Sequence, residues 1–141
     1  MTTTERTNYS KAVSTLRDWK TTAVIRPYYR LTHTGADKLV KRIVDNSQDI
    51  GAIWYTLEED SHSDLNHLHL LIDAQVTKES LSNDARLNAR FANYCQPIKS
   101  PEAITGYVNK HLDKRNSHHN IFTKLYLDKH QTYKTLTVTP Q

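Results

Sequence analysis

Residues 66–73 read Asn-His-Leu-His-Leu-Leu-Ile-Asp, and their alternation decides the fold. Side chains along a β-strand point to opposite faces in turn. His67, His69 and Leu71 therefore share one face, and Leu68, Leu70 and Ile72 share the other. A fully aliphatic row has to meet a core, so the second face packs against helices and two imidazoles stand side by side on the first. The preceding run Ala52 to Glu58 (AIWYTLE) alternates in the same way. Ile53, Tyr55 and Leu57 form a core row, and Trp54, Thr56 and Glu58 fall on the histidine face. The polar stretch Asp60 to Asn66 between the two runs is a turn, so they form a hairpin that brings Glu58 close to His67.

The flanking elements follow from punctuation and periodicity. Residues 1–8 are polar and expected to fray. Ala12, Val13, Leu16 and Trp19 recur at helical spacing, which predicts a short helix from Asn8 to Lys20. TTAVIRPYYRLT (21–32) reads as a strand, and Pro27, which cannot donate to a ladder, predicts an edge position or a bulge. A helix follows, with Thr34 as N-cap, an apolar stripe of Leu39, Val40, Ile43 and Val44, and Asn46 at its end. After the hairpin, Leu81, Leu87 and Phe91 predict a helix within Thr77 to Asn93, and YCQPIK (94–99) predicts a short strand. Ser100-Pro101-Glu102 is a helix start, with Ser as N-cap and Pro where its missing N–H is harmless. The tail alternates weakly at IFTKLYL and YKTLTVT and can add a strand.

The order β-α-β-β-α-β is the split βαβ arrangement, as in ferredoxin-like and RRM-like folds. It predicts an α+β fold with an antiparallel sheet of four to five strands and helices mainly on one face. The expected division is an N-terminal extension over 1–20, the main domain over 21–114 and a C-terminal extension over 115–141.

Composition narrows the functional classes. The 141 residues fit one domain, and a formal charge of +4 permits a polyanionic partner without requiring one. The single Cys95 excludes a disulfide framework and a cysteine-based zinc finger, and fits a reducing, cytoplasmic setting. No apolar run is long enough for a membrane helix, the start MTTTERTNYSK lacks the apolar core of a secretory signal, and no P-loop or internal repeat is present. The unusual counts are 8 His and 8 Tyr, residue types suited to metal binding, acid–base work, nucleophilic attack and stacking.

Two groupings carry chemistry. Glu58, His67 and His69 form a three-ligand set with open positions, suited to Mg²⁺ or Mn²⁺ on a phosphate. Glu59 replaces Glu58 if a bulge shifts the phase. A lone strand histidine is more often simply packed or exposed, and His62, His118 and His119 lie in polar stretches where solvation is expected. In the helix after Ser100, Tyr107 and Lys110 are three apart and share a face, with His111 one turn from Tyr107. An ammonium and a cation beside Tyr107 would favour its phenolate, a nucleophile for phosphorus. The bland reading of the same helix is a buried stripe of Ile104, Tyr107, Val108 and Leu112.

Together, the His67-Leu68-His69 pair and Tyr107-Val108-Asn109-Lys110 resemble the paired-histidine and catalytic-tyrosine motifs of the HUH superfamily of rolling-circle replication initiators, the Rep proteins. The segment QPIKSPEAITGYVNKHLDK is similar to that family's approach to the tyrosine helix. The resemblance spans about residues 20–114. It implies a single-tyrosine nickase acting on single-stranded DNA at an origin hairpin or nick site. Tyr107 would be the nucleophile, Lys110 its support, and His67, His69 and Glu58 the holders of Mn²⁺ or Mg²⁺. Host helicase and polymerase would be partners, the genome viral or plasmid-borne, the assembly a monomer or dimer, and no membrane would be involved. Arg26, Arg30, Lys38, Lys41 and Lys99 are candidates for backbone contacts, with Trp54 or Tyr29 as stacking surfaces. Two alternatives remain open: a single-tyrosine insertion-sequence transposase, and a non-catalytic binder of single-stranded nucleic acid.

Overall fold

The hairpin predicted from residues 52–73 is the centre of a five-stranded sheet. The computed structural model describes residues 1–113 and 118–124. Its elements in chain order are α1 (Thr3–Leu16), β1 (Thr21–Ile25), α2 (His33–Asn46), β2 (Ala52–Glu59), β3 (Asn66–Ile72), α3 (Lys78–Ala85), β4 (Ala92–Pro97), α4 (Ile104–Leu112) and β5 (His118–Thr123). The strand order is β4-β1-β3-β2-β5, and every neighbouring pair is antiparallel. This is the split βαβ core with β5 added beside β2. The fold is α+β, as the element order predicts.

Alternation along the hairpin sorts the core into two layers. Ile53, Tyr55, Leu57, Leu68, Leu70 and Ile72 pack with Leu39, Val40 and Ile43 of α2 and Leu81 of α3. Trp54 and Leu71, on the other face, pack with Val13 and Trp19 and with Ile104 and Val108 of α4. Helices therefore lie on both faces, where the sequence predicts them mainly on one. The physical reason is that Trp54 and Leu71 interrupt the histidine face with apolar area that has to leave water.

The N-terminal segment corrects a second expectation. Residues 1–8 do not fray: α1 begins at Thr3, and Thr2 and Glu5 satisfy each other's backbone N–H groups in a capping box. α1 packs on α4, with Arg6 paired to Asp113 at 2.9 Å and Thr105 Oγ1 donating to Ser14 Oγ at 2.9 Å. Val13 and Trp19 thus join the core layer with Ile104 and Val108, while most of residues 1–20 stay exposed. At the other end, β5 supplies the strand expected from the tail, while the alternation at YKTLTVT (133–139) lies outside the described residues.

Local punctuation differs in three places. α2 is capped by Thr32 rather than Thr34, with the Thr32 hydroxyl accepting from the Gly35 N–H. β1 ends at Ile25, so Pro27 stands just past a central strand and removes no ladder bond. The register shift against β4 falls between Val24 and Ile25. Ser100 does not cap the tyrosine helix; its hydroxyl donates to Glu102, and a single 3₁₀ turn leads into α4.

Candidate metal centre and its surroundings

The β2–β3 register places Glu58 directly opposite His67 and Thr56 opposite His69. The ligand atoms of Glu58, His67 and His69 all lie within 4.8 Å of one another. The two Nε2 atoms are 3.1 Å apart, and His69 Nε2 is 3.8 Å from Glu58 Oε1. Two nitrogens at about 2.1 Å from one ion, at right angles, stand roughly 3 Å apart, so the histidine pair is already spaced as neighbouring ligands. The cluster could hold a metal ion. Glu59 is no alternative, because its carboxylate turns outward to pair with Arg30.

Residues around the cluster fix its protonation. His67 Nδ1 lies 2.5 Å from Asp60 Oδ1, so the ring donates there and its Nε2 lone pair faces the centre. Arg26 Nη1 is 3.2 Å from the same Asp60 oxygen and 3.4 Å from His67 Nδ1. The shorter Asp60 contact takes the ring proton, leaving Arg26 to balance the carboxylate. Burial opposes the charge on Asp60, but hydrogen bonds from His67 and Ser63 outweigh it and hold the carboxyl below its ordinary range.

On the far side, His111 Nδ1 is 2.7 Å from Glu58 Oε2, the oxygen that also accepts from Thr56 Oγ1 at 2.7 Å. Burial works against the Glu58 charge, yet those two hydrogen bonds and the neighbouring imidazoles hold the carboxyl at about 2. Burial drives the His69 imidazole down to about 4, against the pull of Glu58. A neutral imidazole beside an ionised carboxylate is the protonation state a divalent ion needs.

α4 brings the remaining candidates to the centre. The His111 ring lies 4.2 Å from that of His69 and 4.4 Å from that of Tyr107, centroid to centroid. Tyr107 and Lys110 line a cavity of about 340 Å³ with His69, His111 and Tyr94. Lys110 also lines the larger cavity of about 670 Å³ over the metal cluster, with Arg26, Glu58, Asp60 and His62. The Tyr107 hydroxyl is pushed above the ordinary phenol range by burial, then by the Glu58 and Tyr94 charges. That opposes the expected ease of phenolate formation. A cation on Glu58 would remove one of those causes.

The other predicted contacts divide. Arg26 lines the large cavity, and Arg30 pairs with Glu59 beside it. Lys99 is exposed at a smaller pocket next to Tyr107. Lys38 and Lys41 sit on α2, which packs on the opposite sheet face, and Lys41 pairs with Asp45. Trp54 is fully buried under α1, with Nε1 donating to Tyr9 Oη at 3.1 Å, so it is no stacking surface. Tyr29 is exposed. His118 and His119 are half-buried rather than solvated. His118 Nε2 lies 3.2 Å from Asp37 Oδ1, and Tyr9 Oη lies 3.2 Å from His119 Nδ1.

The sequence places His111 one turn from Tyr107 and Asp60 in a polar turn, with no role at the centre for either. The register carries the signal for Asp60: a hairpin placing Glu58 opposite His67 also places the turn residue Asp60 beside His67. The approach of α4 over β3 has no local signal.

No protein-family model, curated protein or solved structure matches the chain. Among the described residues no helix is long and apolar enough to cross a membrane.

Proposed function

We propose that the protein is a metal-dependent nicking and joining enzyme for single-stranded DNA, of the HUH initiator kind, working through a covalent phosphotyrosine. The observation that supports this reading is that one tyrosine helix lies over a Glu-His-His cluster, with Tyr107 and His69 lining one cavity. A divalent cation held by Glu58, His67 and His69, Mn²⁺ or Mg²⁺, would polarise a non-bridging oxygen of the scissile phosphate. Tyr107 Oη attacks phosphorus in line. The Oη–P bond forms as the phenol O–H gives up its proton, the P–O3′ bond breaks, and the leaving 3′ oxygen takes up a proton, so none is gained or lost overall. The strand stays attached through its 5′-phosphate, so the reverse attack by a 3′-hydroxyl rejoins it without ATP. Lys110, at the junction of the two cavities, steadies the phosphate charge. His111 and Asp60 position Glu58 and His67. Initiation of viral or plasmid replication, with helicase and polymerase supplied by the host, is the setting such a reaction suits.

Incubation of labelled single-stranded DNA with the protein and Mn²⁺ tests the reading. The expected result is a protein–DNA adduct that survives denaturation, disappears with a chelator and is absent in Tyr107→Phe. Binding without any adduct, across origin-like oligonucleotides, would sink the nuclease and leave a non-catalytic binder.

A further inference from the structure

The two cavities that Lys110 lines differ in charge. The larger one is lined by three carboxylates, Glu58, Glu59 and Asp60, beside the cations Arg26 and Lys110, and Asp60 and Glu59 are already paired to Arg26 and Arg30. The smaller one has no carboxylate in its lining. Its cation is Lys110, which has no acidic partner among the described residues. Its outer wall is Tyr94, on the edge strand β4, 46% exposed.

The register ties Tyr94 to the metal cluster. Val24 of β1 is opposite Tyr94 on one side and opposite His69 on the other. Directly opposed residues share a face, so Tyr94, Val24 and His69 form one row. Tyr94 is therefore two strands from His69, roughly 9–10 Å at the usual strand spacing. Tyr107 of α4 lines the groove between them. A flat ring at the open edge, a half-buried valine floor, an unpaired ammonium and the nucleophile in sequence match what a single strand presents: a base face, then a phosphate. Tyrosine also suits an edge strand for reasons of propensity alone, so the test has to read stacking rather than stability.

We propose that this groove is a subsite for single-stranded DNA, in which the base next to the scissile phosphate stacks on the Tyr94 ring and its phosphate meets Lys110. The proposal rests on the nuclease reading and adds the path by which the strand reaches Tyr107.

The experiment uses the full chain with an oligothymidylate carrying one 2-aminopurine, in chelator so that nothing is cut. Stacking quenches the probe. The wild type and Tyr94→Phe are expected to quench it with similar affinity. Tyr94→Ala is expected to lose the quenching and bind roughly 5- to 150-fold more weakly, the range that one base–aromatic stack gives. Tyr94→Leu keeps an apolar side chain on the edge strand and is expected to show the same loss, which guards against a misfolded alanine variant. Equal quenching by wild type, Tyr94→Ala and Tyr94→Leu would overturn the subsite, as would a Tyr94→Phe protein as weak as the alanine variant. Adduct formation by the wild type is scored separately: its absence counts against the nuclease, while the quenching series still decides the groove.

Discussion

Asp60 is the smallest part of the centre whose removal has a defined effect. It holds the His67 Nδ1 proton, so Asp60→Asn removes the charge and leaves a side chain that can donate as well as accept. Partners of this kind are worth about 10- to 100-fold in metal affinity, and Mn²⁺ titration by calorimetry should show a loss in that range while the variant still melts cooperatively. His67→Ala and His69→Ala should abolish the titration altogether. His69, His119 and Glu58 set an acid limit on stability. Burial lowers the folded-state pKa of His69 to about 4, and burial with the His118 charge lowers that of His119. The unfolded chain, with imidazoles near 6.5, binds more protons, so stability falls as pH drops below that value. Glu58, held at about 2, extends the loss further into acid, because its contribution vanishes as the carboxylate protonates. Urea melts in chelator, taken between about pH 7 and pH 4.5, should show a midpoint that falls steadily. A flat profile would mean that neither histidine is neutral because of the fold.

At the scale of elements, α1 is the piece whose role was least visible in advance. It covers Trp54 and braces α4, which carries Tyr107 and His111. Deleting residues through Arg17 should uncover Trp54, Ile104 and Val108 and abolish the sharp near-ultraviolet melt, leaving a chain that binds a hydrophobic dye. A sharp melt in the truncated chain would show α1 to be dispensable. The hairpin was legible because a period-two pattern with an all-aliphatic row admits one orientation, and that orientation fixed the faces of Glu58, His67 and His69 together. Trp54 falls on the histidine face, where the sequence offers it as a stacking surface, because a pattern shows which side a residue takes and not what covers that side. The helical spacing of Ala12, Val13 and Leu16 marks the second half of α1, but apart from Val13 and Ser10 its residues are exposed or partly exposed, and its first turns carry no apolar pattern. Its start rested on the Thr2–Glu5 capping box, which a polar opening disguised. His118 and His119 were placed in solvent because a tail with weak alternation carries little sign of pairing with β2.

For the molecule as a whole, the centre links ligand binding to folding. An ion that binds the folded chain alone stabilises it by about 2.7 kcal/mol at a hundred times its dissociation constant. For a domain of this size that is a rise of roughly 8–10 °C in melting temperature. Mn²⁺ should produce it in the wild type and not in the His67→Ala, His69→Ala double variant. Under the proposed function, the modest +4 charge predicts moderate affinity for a single strand in chelator, rising once an ion is loaded.

β3 has a further consequence. It is the middle strand of the sheet, paired on both sides, and its aliphatic row is locked in the core. The imidazole pair is thus mounted on one of the least deformable parts of the chain. An ion held there would meet a donor set that resists dilating to the looser shell of six to eight oxygens that calcium prefers at 2.3–2.6 Å. Selectivity among ions would then draw on backbone stiffness as well as on ligand identity. The scaffold would gain almost no order on loading, and amide exchange along β3 should be equally slow with and without the ion.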